Sequence, residues 1–84
     1  MTIEQQCILT GLTSVNFVAN WGNFMEYVDN IMGRCVFSYE LTQRSVSNRI
    51  KEYCAEQFKE KYDTFDKEEL MELNKKYDLG LDIK

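Results

Sequence analysis

Apolar residues recur at steps of three and four along much of this 84-residue chain, and that spacing predicts helix. Val18, Trp21, Met25, Val28 and Met32 form one row, and Phe17, Phe24 and Ile31 run beside it. Together they make the broad stripe of a helix packed into a globular core. Ser14 is placed to cap this helix, and Gly33 to end it in the left-handed conformation. Gly22 falls inside the run, where glycine costs about 1 kcal/mol relative to alanine, so a close approach by another segment is expected there.

A second long helix is predicted from residue 42 or 45 to about residue 62. Val46, Ile50, Cys54 and Phe58 form its buried row, Tyr53 and Tyr62 flank that row, and Asn48, Lys51, Glu52, Gln57 and Lys61 face outward. A third, shorter helix has the clearest start signal. Asp66 caps, Glu69 stands three residues on as the reciprocal partner, and Phe65 can pack on Leu70 as a staple. Leu70, Leu73 and Tyr77 face inward, and Gly80 is the expected C-terminal cap with Leu81 folding back.

Between the two long helices the period changes, with Cys35, Phe37, Tyr39 and Leu41 alternating with Arg34, Val36, Ser38 and Glu40. Period two predicts a strand, and the one other candidate to pair with it is the Cys7 to Thr10 stretch, which runs into Gly11. An irregular link or a helical turn competes with that pairing. The expected fold class is therefore mainly α: a small bundle of two long amphipathic helices and one shorter capped helix, with a minor two-stranded β pairing as an option and α+β as the alternative. No repeat, low-complexity tract or flexible linker interrupts the chain, so residues 1–84 read as a single domain.

Composition narrows the chemistry. The chain has no histidine and no proline, and the missing histidine removes the commonest general base and transition-metal ligand. Cys7, Cys35 and Cys54 are odd in number and widely spaced, a pattern of reduced thiols and not of a disulfide framework. The segment Met1 to Gln6 has no basic residue and no apolar run reaches membrane-spanning length, so a cytoplasmic protein with no membrane role is expected. The net charge is −4, distributed unevenly. Up to Ile50 there are four acidic residues and three arginines, with no lysine; from Lys51 onward ten acidic residues face seven lysines, with no arginine. An acidic balance of this kind opposes general nucleic-acid binding.

Four carboxylates gather in Asp63, Asp66, Glu68 and Glu69, but Phe65 and Lys67 occupy the alternate positions a calcium loop needs for oxygen ligands. Capping explains Asp66 and Glu69, and neither a metal nor another cofactor is expected. Cysteine nucleophilic catalysis lacks an activating base, and no glycine-rich phosphate loop exists. The chain is expected not to be an enzyme. The stretch from Leu41 to Lys51 resembles the recognition helix of helix-turn-helix DNA binders, pairing the apolar anchors Val46 and Ile50 with Arg44, Ser45, Asn48 and Arg49. That resemblance implies a transcriptional regulator using residues 42–51. It departs from the motif at Val36, where a small residue is wanted, and at Glu40, where the turn usually has glycine.

One tryptophan, five tyrosines and five phenylalanines exceed what one small core can hide, so a partly exposed aromatic patch is expected. Trp21, Tyr53 and Tyr62 are the expected anchors, beside the like-charge row Glu52, Glu56 and Glu60. The function expected from these features is docking on a larger protein with a basic surface, to inhibit or modulate it, with a homodimer as an open option. In size and composition such chains are similar in style to the host-directed and anti-defence inhibitors that bacteriophages encode. DNA-binding regulation is the alternative.

Overall fold

Helix α1 (Ile3–Thr13) occupies the N-terminal segment in which the sequence pattern marks only a short strand. The structure, a computed structural model, describes residues 1–81. Three more helices follow, α2 (Trp21–Met32), α3 (Arg44–Glu60) and α4 (Lys67–Tyr77), with 3₁₀ turns at Ser38–Thr42 and Tyr62–Thr64. The fold is mostly helical and no strand is present among the described residues.

A reciprocal cap starts α1: the Thr2 hydroxyl accepts the Gln5 N–H at 3.1 Å, and the Gln5 side-chain oxygen accepts the Thr2 N–H at 3.0 Å. The helix then buries five consecutive residues, Cys7, Ile8, Leu9, Thr10 and Gly11. Five buried residues in succession go all the way round a helix, so the middle of α1, beyond its exposed Ile3 and Glu4, has no polar face and no 3.6-residue periodicity to read. It ends at Ser14, which takes φ 66° and donates its N–H to the Thr10 carbonyl. Ser14 is thus the stop of α1, and the α2 cap is Asn20, whose side-chain oxygen accepts the Gly22 N–H at 3.0 Å. The buried Thr10 hydroxyl donates to the Gln6 carbonyl at 2.7 Å and accepts the Phe17 N–H at 3.1 Å, tying the link to α1.

Close approach occurs at Gly11 and not at Gly22. A Cβ on Gly11 would lie 2.4 Å from Cys54 Sγ and 3.0 Å from Ile50 Cγ2, so α1 and α3 meet where there is no side chain to separate them. At Gly22 an added Cβ would meet only the Asn20 cap, at 3.1 Å. Val46, Ile50 and Cys54 are buried along α3 as the spacing predicts, with Phe58 partly buried against the core. Phe24 and Val28 of α2 close the other side, and Gly33 ends α2 at φ 71° as expected.

Residues 34–41 correct the strand expectation and invert its faces. Val36 is buried, while Cys35, Phe37 and Tyr39 are exposed. Side-chain oxygens from the same region satisfy this backbone instead of a partner strand: Asp29 Oδ1 accepts the Val36 N–H at 2.8 Å, and Glu40 Oε2 accepts the Phe37 N–H at 3.1 Å.

Helix α4 begins where expected, with Asp66 accepting the Glu68 and Glu69 N–H groups. Glu69 does not return to the cap; its carboxylate pairs with the Met1 amino group at 3.6 Å. Asp78, at φ 51°, ends the helix ahead of Gly80. Leu81 does fold back, its N–H and carbonyl both bonded to the Asn74 side chain at 3.0 and 3.2 Å. Phe65 and Leu70 are both buried in the core. No helix among the described residues is long and apolar enough to cross a membrane.

Candidate docking surface

The most exposed aromatic pair stands on the link between α2 and α3. Phe37 and Tyr39 are 59% and 65% exposed, and their rings stack on each other at 5.7 Å with 7° between planes. Their platform is fixed from several sides. Glu40 bonds the Phe37 N–H and also the Arg34 guanidinium at 3.0 Å, Arg34 reaches the Cys35 carbonyl, and the Thr42 hydroxyl bonds the Tyr39 carbonyl at 2.8 Å. Buried Val36 anchors the loop beside them. Rings held this way lose little freedom when a partner covers them, and large aromatics are the commonest energetic anchors of interfaces.

The three anchors predicted from sequence do not converge. Trp21 is 41% exposed, tilts on Phe24 at 5.0 Å and lines a cleft shared with Ser47 and Lys51 of α3. Tyr53 is half-buried with its ring edge-on to Tyr27 at 6.1 Å. At 3.6 residues per turn that places it roughly 120–160° around α3 from Ser47 and Lys51. Tyr62 packs against Phe58, lies under the Lys67 ammonium and lines a groove with Ala55 and Lys59, further along the helix from Trp21. Phe37 and Tyr39 are the exposed aromatic pair that spacing alone does not reveal. Their alternation with polar neighbours is a signal for strand, and only the loop's hydrogen bonds turn both rings outward.

The acidic row does form as one exposed edge: Glu52, Glu56 and Glu60 follow each other at one helical turn over about 12 Å of α3. None of the three makes an ion pair among the described residues. Nearby, Lys61 is engaged by Glu4 across the α1–α3 junction, a bond that raises its pKa. The row is therefore a line of exposed negative charge, offset at its end where Glu60 acts on neighbouring Lys61.

Arg44, Ser45, Asn48 and Arg49 are placed on the first turns of α3, with Arg44, Ser45, Asn48 and Arg49 all at least partly open to solvent. The helix-turn-helix arrangement that would aim them at a groove is not formed. Residues 33–43, including a 3₁₀ turn, separate α2 from α3, where that motif joins its helices by three or four residues. No cluster of three or more cysteine or acidic side chains among the described residues is placed to hold a metal ion. Cys7 and Cys54 are buried, and burial raises both thiol pKa values; Cys54 is pushed up to about 12, with neighbouring Cys7 adding to the effect. Both stay protonated near neutrality and pack as small apolar groups.

Comparison with family models, with curated proteins and with solved structures returns no match.

Proposed function

We propose that this chain is a non-enzymatic binding protein that docks on a larger protein and modulates it, in the manner of a small inhibitor. The observation that carries the reading is the stacked Phe37–Tyr39 pair, exposed on a loop whose backbone is tied down by Asp29 and Glu40. A folded chain gains little from ordering two such rings outside its core, whereas a partner with an apolar recess does. The exposed row Glu52, Glu56 and Glu60 adds steering toward a positively charged target, including one that normally holds nucleic acid. Tyr53 stands beside that row.

Affinity capture from extract, comparing the tagged wild type with two variants, tests this. A protein retained in fixed stoichiometry by the wild type should drop at least tenfold with the Phe37→Ser/Tyr39→Ser double variant. The Glu52→Gln/Glu56→Gln/Glu60→Gln variant should slow association and flatten its salt dependence. Equal retention by all three chains, each checked for helical content, would overturn the proposal.

A further inference from the structure

The cleft beside Trp21 is walled by two stretches of unusual charge. From Gln5 to Met25 no residue is charged, and from Leu41 to Lys51 the charged side chains are Arg44, Arg49 and Lys51 alone. Those stretches supply every residue that lines the cleft, so a chain with 14 acidic residues against 10 basic ones has there a recess with a cation and no carboxylate. Lys51 is the exposed cation, and its helical neighbours three and four residues away are Ser47, Asn48, Cys54 and Ala55. Glu52 lies about 100° round the helix from it. Arg44, seven residues earlier, falls on the same side of α3 as Lys51, about two turns away. Neither makes an ion pair among the described residues, and Glu40, the acidic residue that precedes Arg44, is held by Arg34 and the Phe37 N–H.

Size and lining choose the rest of the ligand. The cleft encloses about 190 Å³, less than the roughly 300 Å³ at which sites for drug-sized molecules begin and more than the about 150 Å³ that holds a benzene. Its inner wall is apolar, with Phe24 and Ile50 buried and Leu41 half-buried, and Trp21 borders it with its ring tilted on Phe24 at 5.0 Å. Aromatic walls of this kind favour a ring packed edge-on or offset against them. Ser14 and Ser47 line the cleft as well, and neither hydroxyl has a hydrogen-bond partner among the described residues. They join Lys51 as donors, and hydrogen bonds from a cation to an ionised oxygen are the strong ones. We infer that the cleft binds a small aromatic carboxylate, its ring against Trp21 and Phe24 and its carboxylate at the mouth on Lys51. Phe37, Tyr39 and the row Glu52, Glu56, Glu60 take no part, so the inference stands apart from the docking proposed above.

Trp21 is the single tryptophan, so its indole N–H gives one resonance that reports the cleft directly. Titrating the nitrogen-15-labelled full chain with benzoate at neutral pH should move that resonance and the Ser47 and Lys51 amides saturably, with a dissociation constant of about 10⁻³ M, as suits so small a ligand. Benzyl alcohol has the ring without the charge and acetate the charge without the ring; each should bind about fivefold more weakly or worse. Lys51→Met should weaken benzoate by about the same factor and leave benzyl alcohol unchanged, and Ser47→Leu, which fills the recess, should remove both. Lys51 is exposed and Ser47 half-buried, and circular dichroism checks that each variant folds. No saturable shift at benzoate concentrations up to about twenty times that constant overturns the inference. So does benzyl alcohol or acetate binding as tightly as benzoate, or a folded Lys51→Met chain that binds benzoate like the wild type.

Discussion

Helices α1 and α4 have the same length, 11 residues, and each begins with a side-chain cap, yet they are held in opposite ways. Helix α1 buries five residues in succession and meets α3 at a glycine. Helix α4 buries Leu70 alone, with Leu73 half-buried against the core, and is fixed otherwise by the Asp66 cap, the Asn74 bonds to Leu81, the Glu69 pair with the Met1 amino group and an edge contact of Tyr77 with Phe17 at 5.6 Å. The first depends on dense packing against its tertiary neighbours; the second combines local caps with a few contacts at the edge of the core. Capping and amphipathicity thus mark how readable a helix is, and not how central it is.

That contrast can be broken most sharply at Gly11. Replacing it with alanine forces a methyl to within 2.4 Å of Cys54 Sγ, and overpacking of this kind should destabilise by about 3 kcal/mol despite the better helix propensity of alanine. Chemical denaturation measures it; an unchanged midpoint would mean that α1 and α3 do not meet so closely.

Alkali should act on the same junction. Cys54 carries a pKa of about 12 in the fold against the ordinary 9.0, so the folded state holds its proton more tightly than the unfolded chain. The stabilisation is complete below about pH 9 and is lost as pH climbs from there to about 12. Each tenfold difference in proton affinity is worth about 1.4 kcal/mol, and with partial solvent screening roughly 2 kcal/mol should be gone by about pH 11. Thermal unfolding followed from about pH 8 to about pH 11 should fall with this sign, and Cys54→Ala should flatten the slope. The smallest effect belongs to α4: Asp66→Ala removes one cap and should cost about 1 kcal/mol. Hydrogen exchange should show faster exchange of the α4 amides with α1 unaffected, whereas a global loss of protection would erase the contrast.

Much of α3 and α4 was legible because each has one wet face. Val46, Ile50 and Cys54 fall at the buried spacing, and Asp66 is at the cap. Asp78 replaces Gly80 as the terminator because Asn74 closes the turn through Leu81, a contact between residues too far apart for local rules to rank. Thr2 and Gln5 spell a capping box, yet the buried residues that follow carry no period, so the element itself has no signature in the pattern. Of the surface, the Glu52, Glu56 and Glu60 row could be read directly from its spacing. The scattering of Trp21, Tyr53 and Tyr62 could not, because spacing along one helix says nothing of which neighbour covers a ring.

By itself the sequence determined the helical class, the start of α4, the Gly33 stop of α2 and the acidic edge of α3, all of which depend on residues within one or two turns of each other. Tertiary structure alone decided that residues 34–41 pair with side chains instead of a strand. It also decided that Phe37 and Tyr39 face outward, and that Gly11, not Gly22, is where two helices touch. Hydrogen-bond partners and steric gaps are set by which segments meet in space, and local periodicity carries no record of that.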